Sequence, residues 1–428
     1  MFTQNLLRTT LANGLTILVK PAPTAPVASV WLWYRVGSRL ETPGVTGVSH
    51  WVEHMLFKGT EAFPPGEADR QVARVGGVRN AMTWIDFTTY YQTVPAEHFE
   101  LALQIEADRL VNSRFDPDEV DSERTVIISE RQGIENEPTF LLGEEIKAAA
   151  FKVHGYHHDT IGWQCDLEQM TRDDLYNHYR RYYTPRNAVI VVVGPFAGPE
   201  VVEKITAYFG GIESGPPPPP ERSIEPRQMG ERRVLRRGPG DTVYISAAYH
   251  VPPASHPDYF PLVVLDTILG GASAMGMFAD AEPSRSSRLY RALVETGLAA
   301  DASTQLLPTV APFLYSLDAT VQAPAEPDAV EAALLAQVQR LVDEPVSQAE
   351  VNKAIKQTQA QFVYGAESVT DQAYWLGFSE VVASLDWLDA YLARLAAVTP
   401  ADVQRVAATY LAANQRTIGI FLPDDLSK

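Results

Sequence analysis

Apolar residues recur with helical spacing near the start of the chain. Four of them lie close to a period of 3.6 residues, which predicts an amphipathic helix that begins near Thr46. These four positions are Val48, Val52, Met55 and Leu56. Lys58 suits the last turn of a helix and Gly59 suits its end, so we expect the helix to close there.

A second helix is predicted directly after Asp116 and Pro117, which suit the cap and the first helical position. Its apolar side is formed by Val120, Ile127 and Ile128. Glu123 and Glu130 lie seven residues apart, so both carboxylates share one face. Because carboxylates on a helix usually face solvent, the spacing alone assigns neither of them a ligand role.

Strand patterns and an internal repeat organise the rest of the chain. The short apolar run over residues 15–19 predicts the first strand, and residues 171–195 and 399–423 each predict a helix that leads into an apolar strand. A constant offset of 228 residues aligns Thr171 with Thr399, Asp174 with Asp402, Tyr182 with Tyr410, Ile190 with Ile418 and Pro195 with Pro423. We therefore predict two duplicated α+β domains, each a mainly antiparallel sheet backed by helices.

A proline-rich segment separates the two copies. A chain of 428 residues exceeds one hydrophobic core, so two domains of roughly 200 residues are expected. Glycines and a serine lead into a proline run over residues 216–220, which favours an extended spacer. We predict a first domain over residues 1–212, a linker over 213–230 and a second domain over 231–428.

The composition limits which kinds of partner and which cellular compartment we expect for this protein. The formal net charge is −18, which disfavours nucleic acid because its phosphates attract a basic surface. The single cysteine, Cys165, fits a reducing compartment. No apolar run is long enough to cross a membrane, and the N-terminus lacks the pattern of an export signal. We expect a cytoplasmic protein, or a periplasmic one if a signal has been removed.

The first predicted helix carries the residues of a metal site. His50 and His54 lie one turn apart on one face and can direct both imidazoles at one ion. Glu53 lies at the edge of that face, within reach of a water on the ion. With a further carboxylate, two histidines form a zinc site with an open position, where zinc brings the pKa of water toward neutrality. The order His-x-x-Glu-His is the inverzincin signature, although a helix can also carry two histidines by chance.

Longer segments resemble one family of zinc peptidases. Residues 47–60, which read GVSHWVEHMLFKGT, and residues 123–130, which read ERTVIISE, are similar to the pitrilysin/insulysin family. The similarity is greatest to its short branch, typified by the β subunit of the mitochondrial processing peptidase. The resemblance implies that Glu130 is the third zinc ligand and that Glu123 supports the site. It also implies a clamshell half with one Zn²⁺ per chain.

The segment between the two helices also matches the family. Residues 76–83 and 86–90 correspond to an exposed edge strand beside the zinc, which pairs with the backbone of an extended peptide. The implied substrate-binding residues are Asn80, Ala81, Met82 and Thr83. From the residues alone, a hairpin led by two glycines is the alternative.

Motif and resemblance together predict a zinc metalloendopeptidase. It would cleave extended peptides or precursor segments inside a closed chamber, with Glu53 taking a proton from the bound water. The alternative is a non-catalytic structural subunit of the same fold, since the family includes core subunits of a respiratory complex. A third possibility is a metal-dependent hydrolase of something other than peptides.

The second half of the chain lacks two residues that the resemblance requires. Active members complete the site from a homologous half that presents an Arg and a Tyr, and the positions aligned here hold Leu293 and Ala300. Neither side chain can donate a hydrogen bond. The nearby Arg288, Tyr290 and Arg291 do not keep the spacing to a tyrosine. We therefore predict the catalytic subunit of a heterodimer, with a homologous non-catalytic partner that carries the Arg/Tyr pair; a homodimer is the less favoured alternative.

Two loops remain open. His154, His157 and His158 lie close together in sequence and either hold a second metal or line a polar loop. The small-residue loop over residues 270–276 lacks the lysine of a phosphate-binding loop, which excludes a nucleotide there. The resemblance suggests that this loop lines the chamber.

Overall fold

The computed structural model describes residues 2–272 and 285–424. Residues 273–276 of the small-residue loop therefore lie outside the described residues. The strands are β1 Leu7–Thr10, β2 Thr16–Pro21, β3 Val27–Tyr34, β4 Val78–Thr83, β5 Thr88–Pro95, β6 Ala188–Gly194, β7 Arg232–Gly238, β8 Tyr244–Val251, β9 Ala299–Leu306, β10 Phe313–Val321 and β11 Arg416–Pro423. The helices are α1 Val48–Met55, α2 Glu67–Arg74, α3 Phe99–Asn112, α4 Pro117–Ile134, α5 Pro138–Ala150, α6 Gln164–Gln169, α7 Arg172–Tyr182, α8 Gly198–Phe209, α9 Tyr259–Leu269, α10 Pro327–Asp343, α11 Gln348–Tyr364, α12 Val369–Val382, α13 Leu385–Ala396 and α14 Pro400–Tyr410.

The chain divides into two compact units that are not continuous in sequence. The first comprises Met1–Gln132, His158–Ser223 and Ala366–Asp389, and the second comprises Gly133–His157, Ile224–Gly365 and Ala390–Lys428. The break at Ser223 lies inside the predicted linker. The predicted bounds 1–212 and 231–428 are incomplete, however, because α5 belongs to the second unit and α12 to the first. Apolar periodicity shows that a helix buries one side but does not show which sheet it covers.

The first unit is a six-stranded sheet covered by helices. Its strand order is β1-β2-β6-β3-β5-β4, and all pairs are antiparallel except β2 with β6. Helix α12 packs on β3 and β6, whose side chains are almost all buried. The strand predicted over residues 15–19 is present as β2, but its prediction as the first strand is wrong, because β1 precedes it. Strand β1 reads LRTT and alternates between half-buried and exposed residues, so it carries no apolar run.

The second unit repeats this design without the counterpart of β1. Its strand order is β7-β11-β8-β10-β9, with β7 parallel to β11, and α5 packs on β11 and β7. The predicted repeat is confirmed in detail. Thr171 with Asp174 and Thr399 with Asp402 both form capping boxes, at the starts of α7 and α14. These helices lead into β6 and β11, so the molecule is a duplicated α+β protein, as predicted.

Candidate metal centre

Helix α1 holds the metal motif between two glycines. Gly47 precedes it with φ of +87° and Gly59 follows the last turn with φ of +89°, a backbone region that favours glycine. The regular helix spans Val48–Met55, and residues 56–58 form a turn, so it is shorter than predicted at both ends. The apolar side of α1, which includes Trp51, Val52 and Met55, is fully buried.

Helix α4 supplies the acidic side of the centre. It begins at Pro117, as predicted, and buries Val120, Glu123 and Ile127. The side chain of Glu130 is 40% exposed, so it lies at the open side of the site. Because Glu123 and Glu130 share a helix face, both reach the histidines of α1.

The three predicted ligands converge. The Nε2 atoms of His50 and His54 lie 3.2 Å apart, and Oε2 of Glu130 lies 3.9 Å and 3.8 Å from them. Within residues 2–272 and 285–424, no other three His, Cys, Asp or Glu side chains meet in this way. In the loop with three histidines, the structure shows one buried contact to a carboxylate. His158 Nε2 lies 2.9 Å from Oε2 of Glu41, and both side chains are fully buried.

These donor atoms suit a zinc ion. His54 Nδ1 lies 2.8 Å from Oε1 of Glu123, and because a carboxylate accepts, Nδ1 carries the proton and Nε2 is the nitrogen left to bind metal. Bonds of about 2.1 Å in a tetrahedron place ligand atoms about 3.4 Å apart, close to the separations found here. Lys58 pairs with Glu123 from the other side and holds that carboxylate in place.

Burial and charge set the protonation of the histidines and of Glu123. Burial lowers the pKa of His50 to about 3, so this imidazole is neutral near pH 7 and can act as a ligand. Burial also acts to lower the pKa of His54, but the hydrogen bond to Glu123 and the surrounding carboxylates outweigh it and raise this pKa. Burial acts to raise the pKa of Glu123, yet its bonds to His54 and Lys58 hold that pKa below the usual range.

Glu53 lies beside the ligands and is held by a threonine. The residue is 9% exposed, and the Thr83 hydroxyl donates to its Oε2 over 2.5 Å. Burial raises the pKa of Glu53, and the Thr83 bond opposes part of that rise. Fixing Oε2 also fixes the direction of the second oxygen, Oε1. The carboxylate is thus oriented and has a stronger affinity for a proton than an exposed glutamate.

Strand β4 is the edge of the first sheet, as predicted for residues 80–83. Among the described residues it pairs only with β5, and the glycine-led hairpin is present as well, since β4 and β5 are adjacent antiparallel strands. Val78 and Asn80 are exposed. Thr83 contacts Glu53 of α1, and the Arg79 guanidinium lies 4.7 Å from the centre of the Phe57 ring, in the turn that follows α1. No strand of residues 2–272 and 285–424 pairs with the outer edge of β4, while peptide binding there stays a prediction.

In the second unit, the positions aligned with the Arg/Tyr pair hold no polar side chain. Leu293 is fully buried and Ala300 lies in β9. The nearby Arg288 donates from Nε and Nη2 to Oε1 of Glu350 at 3.0 Å and 2.9 Å. This guanidinium is therefore engaged within its own unit.

The fold and the site define a class of duplicated α+β proteins whose first unit carries a candidate metal centre built on His-x-x-Glu-His. Comparison with known families identifies the class. A family model described as Insulinase (Peptidase family M16) matches residues 16–162, and one described as Peptidase M16 inactive domain matches residues 169–358. The chain belongs to this family, and within it resembles the β subunit of the mitochondrial processing peptidase.

Two relatives and one solved structure are similar to this chain. The zinc protease PqqE of Helicobacter pylori is 29% identical over 97% of this chain and 92% of its own length. A probable β subunit of the mitochondrial processing peptidase from Arabidopsis thaliana is 33% identical over 49% of this chain and 39% of its own. The crystal structure of a protease from Helicobacter pylori superposes with a TM-score of 0.92 at 28% identity, covering 98% of this chain and 99% of that one.

None of the helices in residues 2–272 and 285–424 combines the length and the apolar composition that a bilayer crossing requires.

Proposed function

We propose that the protein is a zinc-dependent endopeptidase whose first unit holds the ion between His50, His54 and Glu130. The observation that carries this proposal is the convergence of these three side chains beside a buried, oriented Glu53. The relatives named zinc protease support it. The order of the motif, the inverzincin order, places the general base one residue before the second histidine.

Each residue has a distinct part in the chemistry. A bound Zn²⁺ would lower the pKa of a water at its open position and polarise the scissile carbonyl. Glu53 accepts a proton from the attacking water and delivers it to the leaving amine nitrogen. Glu123 orients His54, and the outer edge of β4 pairs with the substrate backbone over Asn80, Ala81, Met82 and Thr83.

Metal analysis combined with cleavage assays tests this proposal. Purified protein is expected to hold one zinc per chain and to cleave extended peptides, to lose both on treatment with a chelator, and to regain both when zinc is added. The alternative, a structural subunit of the same fold, predicts no stoichiometric zinc and no cleavage. A chain that hydrolyses only small esters or amides would instead favour a different substrate class.

The partner is a separate proposal. Because Leu293 and Ala300 cannot donate hydrogen bonds, we infer that a homologous subunit supplies the Arg and the Tyr. The chain alone, or as a homodimer, should bind zinc yet cleave peptides slowly. Adding a homologue that lacks the metal motif and carries the Arg/Tyr pair should raise kcat/KM by more than about a hundredfold. Full activity of the single chain, unchanged by any such partner, contradicts this inference.

A further inference from the structure

We propose that Glu41, held by His158, is a positioning residue that orders the first turn of α1 before the metal binds. The inference rests on the proposed zinc site, and it gives a role to the loop with three histidines. Glu41 touches none of the metal ligands; it acts through the backbone of the helix that carries them.

Glu41 caps the metal helix from outside. Its Oε2 accepts a hydrogen bond from the Gly47 amide at 2.7 Å and its Oε1 accepts one from the Ser49 amide at 2.8 Å. Amides in the first turn of a helix have no carbonyl partner within that helix, so an external acceptor is needed. A carboxylate also interacts favourably with the positive end of the helix dipole. His50 follows Ser49 directly, so the cap fixes the backbone next to a ligand.

His158 makes the burial of this carboxylate possible. Its Nε2 lies 2.9 Å from Oε2 of Glu41, and both side chains are completely removed from solvent. A buried carboxylate is costly unless its oxygens are hydrogen-bonded, and the two amides and one imidazole meet that need. His158 thus fixes Glu41, and Glu41 fixes the start of α1.

A second carboxylate in the same region provides a comparison. Asp166 accepts from the amides of Gly44 and Thr46 at 3.1 Å and 3.0 Å and from the Thr46 hydroxyl at 2.7 Å. Its bonds hold the turn before the helix and stop short of the first helical residue, Val48. Asp166 therefore stabilises the local fold without reaching the ligand-bearing turn.

The effect of a contact on zinc affinity distinguishes a residue that orders the metal helix from one that only stabilises the fold. A contact that is equally strong with and without metal changes the stability of both forms and leaves the metal affinity unchanged. If the first turn of α1 loosens when the Glu41 cap is lost, zinc must order that turn on binding. Part of the binding free energy is then consumed, and the affinity falls.

The test compares zinc affinities of the full-length chain, measured by competition with a chromophoric chelator. Glu41→Gln is expected to weaken zinc binding by about ten- to a hundredfold, in the range found for residues that support metal ligands. Asp166→Asn is expected to stay within about threefold of wild type, although both variants lose thermal stability. His158→Gln, whose amide can still donate to Glu41, should bind zinc nearly as tightly as wild type does. His158→Leu, which has no donor, should bind zinc more weakly than wild type.

Amide hydrogen exchange gives a readout without zinc. In the metal-free Glu41→Gln protein, the amides of α1 should exchange faster than in wild type, and zinc should restore their protection. A folded Glu41→Gln protein with wild-type zinc affinity overturns the inference, as does an equal loss for Asp166→Asn. If Glu41→Gln does not fold, the zinc affinities of His158→Gln and His158→Leu are compared instead. Wild-type affinity in a folded His158→Leu protein then overturns the inference. Wild-type protein without zinc affinity defeats the proposed function, while hydrogen exchange still decides whether Glu41 orders α1.

Discussion

The Thr83 hydroxyl helps to orient the Glu53 carboxylate. Thr83 donates to Oε2 over 2.5 Å, and no other residue of β4 has a hydroxyl on that side. Thr83→Val removes the donor at nearly constant volume, so kcat for peptide cleavage should fall about ten- to a hundredfold while the zinc content is unchanged. Thr83→Ser keeps the donor and should stay within about threefold of wild type.

The control for this prediction is Thr93→Val in β5 of the same sheet. The Thr93 hydroxyl bonds Ser29 and Thr370, both at 2.9 Å, and makes no contact with Glu53. Its loss should cost some stability and leave kcat unchanged. A Thr83→Val enzyme with an unchanged kcat and a raised KM would assign Thr83 to substrate binding alone.

Residues of the candidate site differ in how far the sequence reveals them. His50, Glu53 and His54 follow from spacing on one helix, and the family resemblance supplies Glu130, which the structure brings to the histidines. Glu41 carries no local signal, because its partner His158 lies 117 residues away in the chain. The sequence places His158 in a histidine-rich loop, but spacing alone cannot show that its imidazole meets a carboxylate.

Helix α1 is fastened to α7 by a histidine that is buried in its neutral form. The His178 Nε2 lies 3.2 Å from the Ser49 hydroxyl, and burial lowers the pKa of His178 from 6.5 to about 4. The unfolded chain therefore binds more protons than the folded one between these two values. The free energy of unfolding should fall as the pH decreases from about 6.5 to about 4, by an amount on the order of 3 kcal/mol.

Urea unfolding at a series of pH values measures this contribution. His178→Gln, which can still bond Ser49, should show a smaller loss of stability over the same pH range than wild type. His98→Gln, at a side chain that is 42% exposed, is the matched control and should follow the wild-type curve. Comparison of variants removes the contribution of the metal ligands, which is common to all three proteins. Parallel curves for His178→Gln and wild type would contradict the assignment.

Helix α12 packs on β3 through a glycine. A Cβ added at Gly377 would lie 2.0 Å from Nε1 of Trp33, too close for any real contact. Gly377→Ala should therefore destabilise the first unit by about 1–3 kcal/mol, in urea unfolding followed by tryptophan fluorescence. Gly143→Ala in α5 meets nothing within 4 Å and should be neutral or stabilising by up to about 1 kcal/mol. Equal effects of the two substitutions would refute the packing argument.

Elements were predictable where they have a strong local pattern. The start of α4 at Pro117 and the two helices that lead into apolar strands, α7 and α14, are read directly from the residues. The strand β1 was not predictable, because its two half-buried and two exposed residues give no apolar signal. The placement of α12 in the first unit was not predictable either. It depends on the close approach of the helix to Trp33 at Gly377, which only the folded chain shows.

At the level of the whole molecule, duplication has produced two units of similar fold that differ in their metal-binding residues. Both sheets share the same order once β1 is set aside, yet only the first unit carries a group of metal-binding side chains among the described residues. The constant offset of the repeat made the duplication predictable. The exchange of α5 and α12 was not predictable, because each helix keeps its place in the repeat while covering the sheet of the other copy.

The most direct test of the account is the hydrolysis rate of the zinc-loaded Glu53→Gln variant, measured with a peptide that wild-type protein cleaves and in the presence of any partner that wild type requires. Glutamine keeps the shape of the side chain but cannot accept the proton of the attacking water. We predict one zinc per chain and a rate lower by at least about a hundred- to ten-thousandfold. A zinc-loaded variant that cleaves at the wild-type rate would contradict the central claim.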